Sequence, residues 1–291
     1  MKHIVKNTYI LRKALSMIEV IFVIIVLGVV ASIGSQIIAD VYGSYIVERG
    51  QYRSNIKTEL ALNQIANRLR YAIPGTLGYR TALGAGFVNL SSTTAVPATA
   101  TVLQWVGYDG DSFEAMSSGA ANGTTRRPGW SGFCDINSPQ TTQTNIHTPG
   151  SNINLAAAII GNLAAGGLGA VAPRIFFPDG TNYLIAGSVD PQQITLNPGI
   201  PAGSEIYERY KLAWTSYALS VEGGDLFLYH NFAPIPGTNN FAGIQRNLLM
   251  ENIANFRFRV TEGAIRIKIC KSETTFDANG TVHACKEKVI F

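Results

Sequence analysis

The chain has 291 residues, of which 46% are hydrophobic and 14% are charged, so it can hold a membrane helix and one or two globular domains. Its 23 Lys and Arg outnumber its 19 Asp and Glu, giving a formal net charge of +4. Four of the basic residues (Lys2, Lys6, Arg12 and Lys13) lie in residues 1–14, which contain no acidic residue. The remaining chain therefore carries 19 residues of each sign, which excludes a general basic surface for nucleic acid or anionic lipid.

An apolar segment with a single charge follows this basic stretch. Between Leu15 and Ala39 the only charged residue is Glu19. About 20 apolar residues cross a bilayer core, and a carboxylate inside such a segment costs a few kcal/mol unless it finds a partner. A secretory signal peptide has a shorter apolar region that precedes its cleavage site. A plain single-pass anchor explains the length and the basic flank, but it gives no reason for Glu19.

The basic leader, the small residue Ala14 and an acid at the fifth position of the apolar helix together resemble the N-terminus of type IV pilins and type II secretion pseudopilins. The resemblance implies that a prepilin peptidase cuts between Ala14 and Leu15 and methylates the new α-amine. It also implies that Glu19 meets the free N-terminus of a neighbouring subunit. The family usually has Gly before the cut and Phe after it, where this chain has Ala14 and Leu15.

Hydrophobic periodicity extends the helix beyond the apolar segment. Apolar residues recur mostly at steps of three, four and seven, as in an amphipathic helix, at Tyr45, Tyr52, Ile56, Leu60, Leu62, Ile65, Leu69 and Ile73. Pro74 and Gly75 predict its end. We therefore predict a leader at residues 1–14, a transmembrane half-helix at 15–39, an amphipathic half-helix at 40–73 and a β-rich external head at 75–291. The basic leader favours a cytoplasmic N-terminus.

Strand patterns dominate the predicted head. Residues 101–106 and 207–221 read as strands, the latter followed by a hairpin turn at residues 222–225 and a returning strand at 226–230. Residues 154–162 fit either a short helix or an apolar loop. Residues 257–260 and 265–269 alternate apolar and cationic side chains, as in a half-solvated antiparallel sheet, with a turn at residues 262–263. Residues 251–259 followed by residues 265–270 loosely resemble the sheet of larger minor pilins and of pseudopilin J. The predicted class is α+β, a long N-terminal helix on an antiparallel sheet with long loop insertions.

Three cysteines bear on the compartment of the head. Cys270 and Cys285 flank a turn-rich loop, whereas Cys134 is distant. In an oxidising compartment, a disulfide closing a loop of about 15 residues contributes ~3 kcal/mol. The alternative is three free thiols. With an exported head we predict a Cys270–Cys285 disulfide and an unpaired Cys134.

Neither a catalytic centre nor a metal centre is predicted. The histidines His147, His230 and His283 are scattered, and no phosphate loop, nucleophile elbow or zinc motif is present. Asp109 and Asp111 fit an acidic turn better than a calcium ligand set. We therefore expect neither an enzyme nor a bound cofactor.

Two surface features remain open at this stage. Asn279, followed by Gly280 and Thr281, fits a glycosylation acceptor, and Asp277 resembles the acidic position of the extended bacterial sequon; a β-turn explains the same residues. A set of cations fits either a strip for DNA or a solvated strand face, namely Arg126, Arg127, Arg257, Arg259, Arg266 and Lys268. We do not expect nucleic acid as a partner, because the mature chain is neutral.

The resemblance implies a minor pilin or pseudopilin in the bacterial inner membrane, with a cytoplasmic N-terminus and a periplasmic head, which later enters a pilus or pseudopilus. Its implied partners are the prepilin peptidase, other pilin subunits, the inner-membrane assembly platform and lipid. The alternatives are a single-pass anchored binding module and a DNA-uptake pilin.

Overall fold

The computed structural model describes residues 16–93, 95–118, 126–164, 172–261, 263–274 and 281–290. The chain divides into two compact units, Met1–Gly50 and Gln51–Phe291. Helix α1 (Met17–Leu69) runs through the boundary and ends before Pro74 and Gly75. Ala14, Leu15 and Asn279 lie outside the described residues, so the predictions made for them stay predictions.

In the first unit, α1 is exposed along almost its whole length and carries a long apolar sequence. Within the described ranges it is the one helix that is long and apolar enough to cross a membrane. Its start is capped, because the backbone N–H of Glu19 lies 3.4 Å from Ser16 Oγ and 3.0 Å from the Ser16 carbonyl oxygen. Ser16 followed three residues later by Glu19 is the sequence of a capping box.

In the second unit, residues 51–69 of α1 bury a face of small and aliphatic side chains, namely Ser54, Thr58, Ala61, Leu62, Ile65, Ala66 and Leu69. The Thr58 hydroxyl donates to the Ser54 carbonyl oxygen at 2.8 Å, so this buried group is satisfied inside the helix. Small side chains on this face permit a close approach between helix and sheet.

Three antiparallel sheets make up the rest of this unit, together with helices α2 (Gly110–Glu114) and α3 (Ile153–Ala164). The strands are β1 (Gly78–Arg80), β2 (Val88–Asn89), β3 (Val102–Gly107), β4 (Asn145–His147), β5 (Arg174–Phe176), β6 (Asn182–Gly187), β7 (Gln193–Leu196), β8 (Lys211–Ala213), β9 (Thr215–Glu222), β10 (Asp225–Phe232), β11 (Arg246–Met250), β12 (Ile253–Thr261), β13 (Ala264–Thr274) and β14 (Thr281–Ile290).

The sheets enclose two main hydrophobic cores. A six-stranded sheet (β11-β10-β9-β3-β1-β2) and a three-stranded sheet (β12-β13-β14) share the first core with the buried face of α1. A five-stranded sheet (β4-β7-β6-β5-β8) and α3 enclose the second core, which contains Trp130 and Ile194. The long apolar N-terminal helix and the antiparallel sheets agree with the predicted α+β class.

Several local predictions match the observed elements. Residues 101–106 correspond to β3, and the apolar stretch at 154–162 lies in helix α3 rather than in a loop. The hairpin between β9 and β10 turns through Gly223 and Gly224 at φ 60° and 89°, a backbone region that glycine adopts without steric cost. On β12 and β13, Phe256, Phe258 and Ile267 are buried while the intervening cations are exposed.

The single strand predicted over residues 207–221 is wrong. The structure divides this segment at Trp214 into β8, which belongs to the five-stranded sheet, and β9, which belongs to the six-stranded sheet. Leu212 and Trp214 pack in the second core, whereas Leu219 packs in the first. A continuous β-forming sequence thus serves two different sheets, because its apolar residues are buried in different cores.

Candidate functional site

The first candidate site is the start of α1. Glu19 occupies the first helical turn, where a carboxylate complements the positive end of the helix dipole, and its side chain is exposed. It makes no ion pair with any residue that the structure describes. Ser16 therefore caps the backbone N–H of Glu19, a role for Ser16 that the sequence interpretation overlooked, and the Glu19 carboxylate remains available to a partner.

The second candidate site is an apolar stripe on α1, formed by Tyr52, Ile56 and Leu60. Their exposed fractions are 68%, 40% and 56%. Each of the three lies two positions before a buried residue of the same helix. A step of two positions turns about 200° around the helix axis at ~100° per residue, so the exposed and the buried residues lie on nearly opposite sides. The apolar series predicted for this half of the helix thus divides into two opposite faces, of which only one packs on the head.

The cysteines are arranged as predicted. Cys270 and Cys285 lie opposite each other on β13 and β14 and form a disulfide. Cys134 is unpaired and fully buried, and burial raises the pKa of its thiol to about 11. Cys134 is therefore a thiol at neutral pH and is not set up as a nucleophile.

The outer face of the three-stranded sheet is basic. Four exposed cations lie on it, namely Arg257, Arg259, Arg266 and Lys268. The strand register places Arg257 opposite Lys268 and Arg259 opposite Arg266, so like charges face each other across the strands. Arg266 Nε pairs with Glu287 Oε1 at 2.9 Å. Arg127 is not part of this face, because its backbone N–H bonds to Ser117 Oγ beside α2.

No metal or catalytic cluster emerges from the part of the chain that the structure describes. It contains no group of three or more His, Cys, Asp or Glu residues that could hold a metal ion. Asp109 is buried and caps α2, where its Oδ1 accepts a hydrogen bond from the Ser112 N–H at 3.1 Å. Burial is the main cause that raises the Asp109 pKa. The acidic turn thus has a structural explanation in helix capping.

A buried arginine binds two loops together. Arg80 is 1% exposed, and its guanidinium donates to Gln104 Oε1 (3.1 Å) and to the carbonyl oxygens of Gly237 (2.6 Å), Thr238 (2.9 Å) and Ala85. No described carboxylate forms an ion pair with it. Burial lowers the pKa of Arg80 from its ordinary value. Carbonyl dipoles rather than an acid therefore stabilise this charge.

An aromatic cleft of about 680 Å³ opens in the second unit. Phe113, Trp130 and Phe133 contribute to its lining, together with the cations Arg209 and Lys211. The Lys211 ammonium lies 4.8 Å from the centroid of the Tyr108 ring, a cation–π distance. The cleft therefore combines an apolar surface with positive charge.

No match to this chain was found among protein-family models, curated proteins or solved structures. A functional conclusion must therefore start from the chain's own residues.

Sequence reasoning predicted the disulfide, which is confirmed, and an assembly role for Glu19, which stays a prediction; it missed Arg80 and the aromatic cleft. The cleft residues come from segments far apart in the chain, so no local spacing relates them. No local signal marked Lys211, because it follows the charged residues Glu208 and Arg209, a pattern typical of a solvated strand.

Proposed function

We propose that this chain is a minor pilin or pseudopilin, a subunit of a type IV pilus or a type II secretion pseudopilus that assembles from the bacterial inner membrane. The observation that carries the proposal is that residues 51–69 of α1 have two opposite apolar faces, only one of which the head covers. In this proposal, residues 1–14 are a leader, residues 15–39 are a membrane-spanning half-helix, and the head lies in the periplasm until the subunit is assembled.

The exposed stripe favours a filament subunit over a plain anchor. The predicted transmembrane half ends at residue 39, and Tyr52 follows it by about three and a half helical turns at ~3.6 residues per turn. Lipid that covers the transmembrane half does not reach the stripe at that distance. Contiguous exposed apolar side chains mark interaction surfaces, so we assign the stripe to a contact with another protein. In a filament of like subunits, the helices of neighbours supply that surface.

Glu19 supports the same proposal. Its carboxylate bears the intramembrane penalty while the subunit is alone in lipid. The α-amine of Leu15 on a neighbouring subunit, freed by the prepilin peptidase, would supply the opposite charge. Assembly on the inner-membrane platform then relieves the penalty, and the membrane and filament states differ by an ion pair in a medium of low dielectric constant.

A single-pass anchored binding module is the second candidate function. The aromatic cleft favours it, because a lined cavity of this size is typical of small-ligand sites. This candidate explains neither Glu19 nor the stripe, and it requires no processing of the N-terminus.

We expect the mature protein to begin at Leu15 with a methylated α-amine. Intact-mass and N-terminal peptide analysis of the chain from membranes should give a chain lacking residues 1–14 and carrying one additional methyl group. The same chain expressed without the prepilin peptidase serves as the control and should retain Met1. An unprocessed N-terminus in cells that contain the peptidase would contradict the proposal and favour the anchored module.

A further inference from the structure

The aromatic cleft has a preformed floor and exposed walls. Trp130 is 3% exposed, and its Nε1–H donates to the Asp109 carbonyl oxygen at 2.9 Å, which fixes the ring. The Phe113 ring lies 4.7 Å from the Trp130 ring, centroid to centroid. Phe113 and Phe133 remain 43% and 44% exposed. The cleft thus offers phenyl surface to a ligand without prior rearrangement of Trp130.

The charge of the cleft lacks a counter-charge. Lys211 is half-buried, and its ammonium makes no ion pair with any described residue. Burial lowers the pKa of Lys211, since the ammonium loses part of its hydration. Arg209, which is exposed, adds a second cation to the lining, and the described lining residues include neither Asp nor Glu.

Two of the three hydroxyl groups of the described lining, those of Ser131 and Tyr210, are already engaged with residues outside it, which leaves that of Tyr108. Tyr210 Oη lies 2.7 Å from Thr148 Oγ1, and the Ser151 hydroxyl donates to Ser131 Oγ at 3.0 Å. A sugar needs several side-chain hydrogen bonds in addition to stacking, so this lining is poorly suited to one. An apolar ligand with one negative charge fits it better.

We propose that the cleft binds an aromatic group that carries a carboxylate, with the ring against Phe113 and Phe133 and the carboxylate paired with Lys211. The same chemistry occurs in free aryl acids and in the C-terminal aromatic residue of a polypeptide. Binding gives Lys211 its missing counter-charge and removes the two phenylalanine rings from water. This inference stands independently of filament assembly.

The test uses the purified full-length chain in a non-ionic detergent and ¹⁹F NMR titration of two matched probes, 3-(4-fluorophenyl)propionate and its uncharged amide. The acid should bind at least fivefold more tightly than the amide. Lys211→Met should weaken acid binding at least fivefold and leave amide binding unchanged, which also shows that the variant is folded. Phe133→Ala should weaken both probes, because it removes ring contact and not charge.

Lys268→Met is the matched control, since Lys268 is an exposed lysine on the outer face of the three-stranded sheet, and it should bind both probes like the native chain. A Gly-Ser-Gly-(4-fluorophenylalanine) peptide with a free C-terminus, compared with its C-terminal amide, separates the two sources. Tighter binding of the free peptide than of the propionate assigns the site to a polypeptide C-terminus, and weaker binding assigns it to a free acid. Equal binding of acid and amide, equal losses in Lys211→Met and Lys268→Met, or no binding beyond that of detergent alone would overturn the proposal.

Discussion

Glu19→Gln is expected to lower incorporation of the chain into sheared filaments by at least about tenfold, while membrane insertion stays intact or improves. Removing one partner of a buried ion pair costs ~3–5 kcal/mol, and each ~1.4 kcal/mol is a factor of ten in an equilibrium. In the proposed filament, the substitution would leave the α-amine of Leu15 on the neighbour without a counter-charge in a membrane-like interior. Quantitative immunoblotting of sheared filaments against membranes measures the effect.

The Ser16 cap at the start of α1 requires its own control. Glu19→Gln keeps the backbone N–H that bonds to Ser16, and glutamine also serves at the third position of a capping box, so the substitution removes the charge and retains the cap. Ser16→Ala does the reverse: it removes the hydroxyl oxygen that lies 3.4 Å from the Glu19 N–H and keeps the carboxylate. Ser16→Ala should therefore enter filaments nearly as well as the parent chain, and Glu19→Lys should not enter them at all. Normal incorporation of Glu19→Gln would favour the plain anchor.

Arg80→Met is expected to destabilise the second unit by about 3 kcal/mol. The substitution removes the arginine donor from the buried Gln104 Oε1 and from the partly buried carbonyl oxygens of Ala85 and Gly237, whereas the Thr238 carbonyl oxygen keeps a hydrogen bond from Gln104 Nε2 at 3.2 Å. A hydrogen bond to a charged group contributes ~1.5–3 kcal/mol, and water can replace part of what the partly buried carbonyl oxygens lose. For a unit of this size, ~3 kcal/mol lowers the melting temperature by about 6–12 °C. Thermal unfolding of the full chain in detergent, followed by near-UV circular dichroism, measures it.

Arg259→Met is the matched control for Arg80. Arg259 is exposed, makes no ion pair with a described residue and faces Arg266 across the strands. Its removal relieves a like-charge contact, so stability should stay within about 0.5 kcal/mol of the parent or rise slightly. Arg80→Lys keeps the charge but not the planar fork of donors and should lie between the two. Equal stability of Arg80→Met and Arg259→Met would contradict the role assigned to the buried guanidinium.

The features that sequence predicted correctly are those determined by neighbouring residues. The apolar helix follows from a continuous run of side chains, and the hairpin at Gly223 and Gly224 follows from two residues that tolerate positive φ. The Cys270–Cys285 pair joins two strands, β13 and β14, that are consecutive in the chain and pair with each other. Each of these depends on a short stretch of chain.

The features that sequence missed depend on contacts between distant segments. Nothing near Trp214 in the sequence indicates that β8 and β9 belong to different sheets, because both halves favour strand. Arg80 is not marked by any local pattern, yet its side chain is buried and donates a hydrogen bond to a backbone carbonyl oxygen 158 positions away. In α1, periodicity identified apolar positions correctly, but it could not show which of two opposite stripes packs on the head.

Photo-cross-linking from the exposed stripe tests the filament account most directly. The photoreactive amino acid p-benzoylphenylalanine replaces Ile56, which is 40% exposed on α1, and a matched control replaces Val189, which is 79% exposed in the second unit. On irradiation of assembled filaments, position 56 should give adducts whose partner peptides come from the N-terminal helix of this chain or of another pilin subunit. Position 189 should give no such helix adduct. A chain that cross-links at position 56 only to lipid, or to nothing, would contradict assembly through this helix.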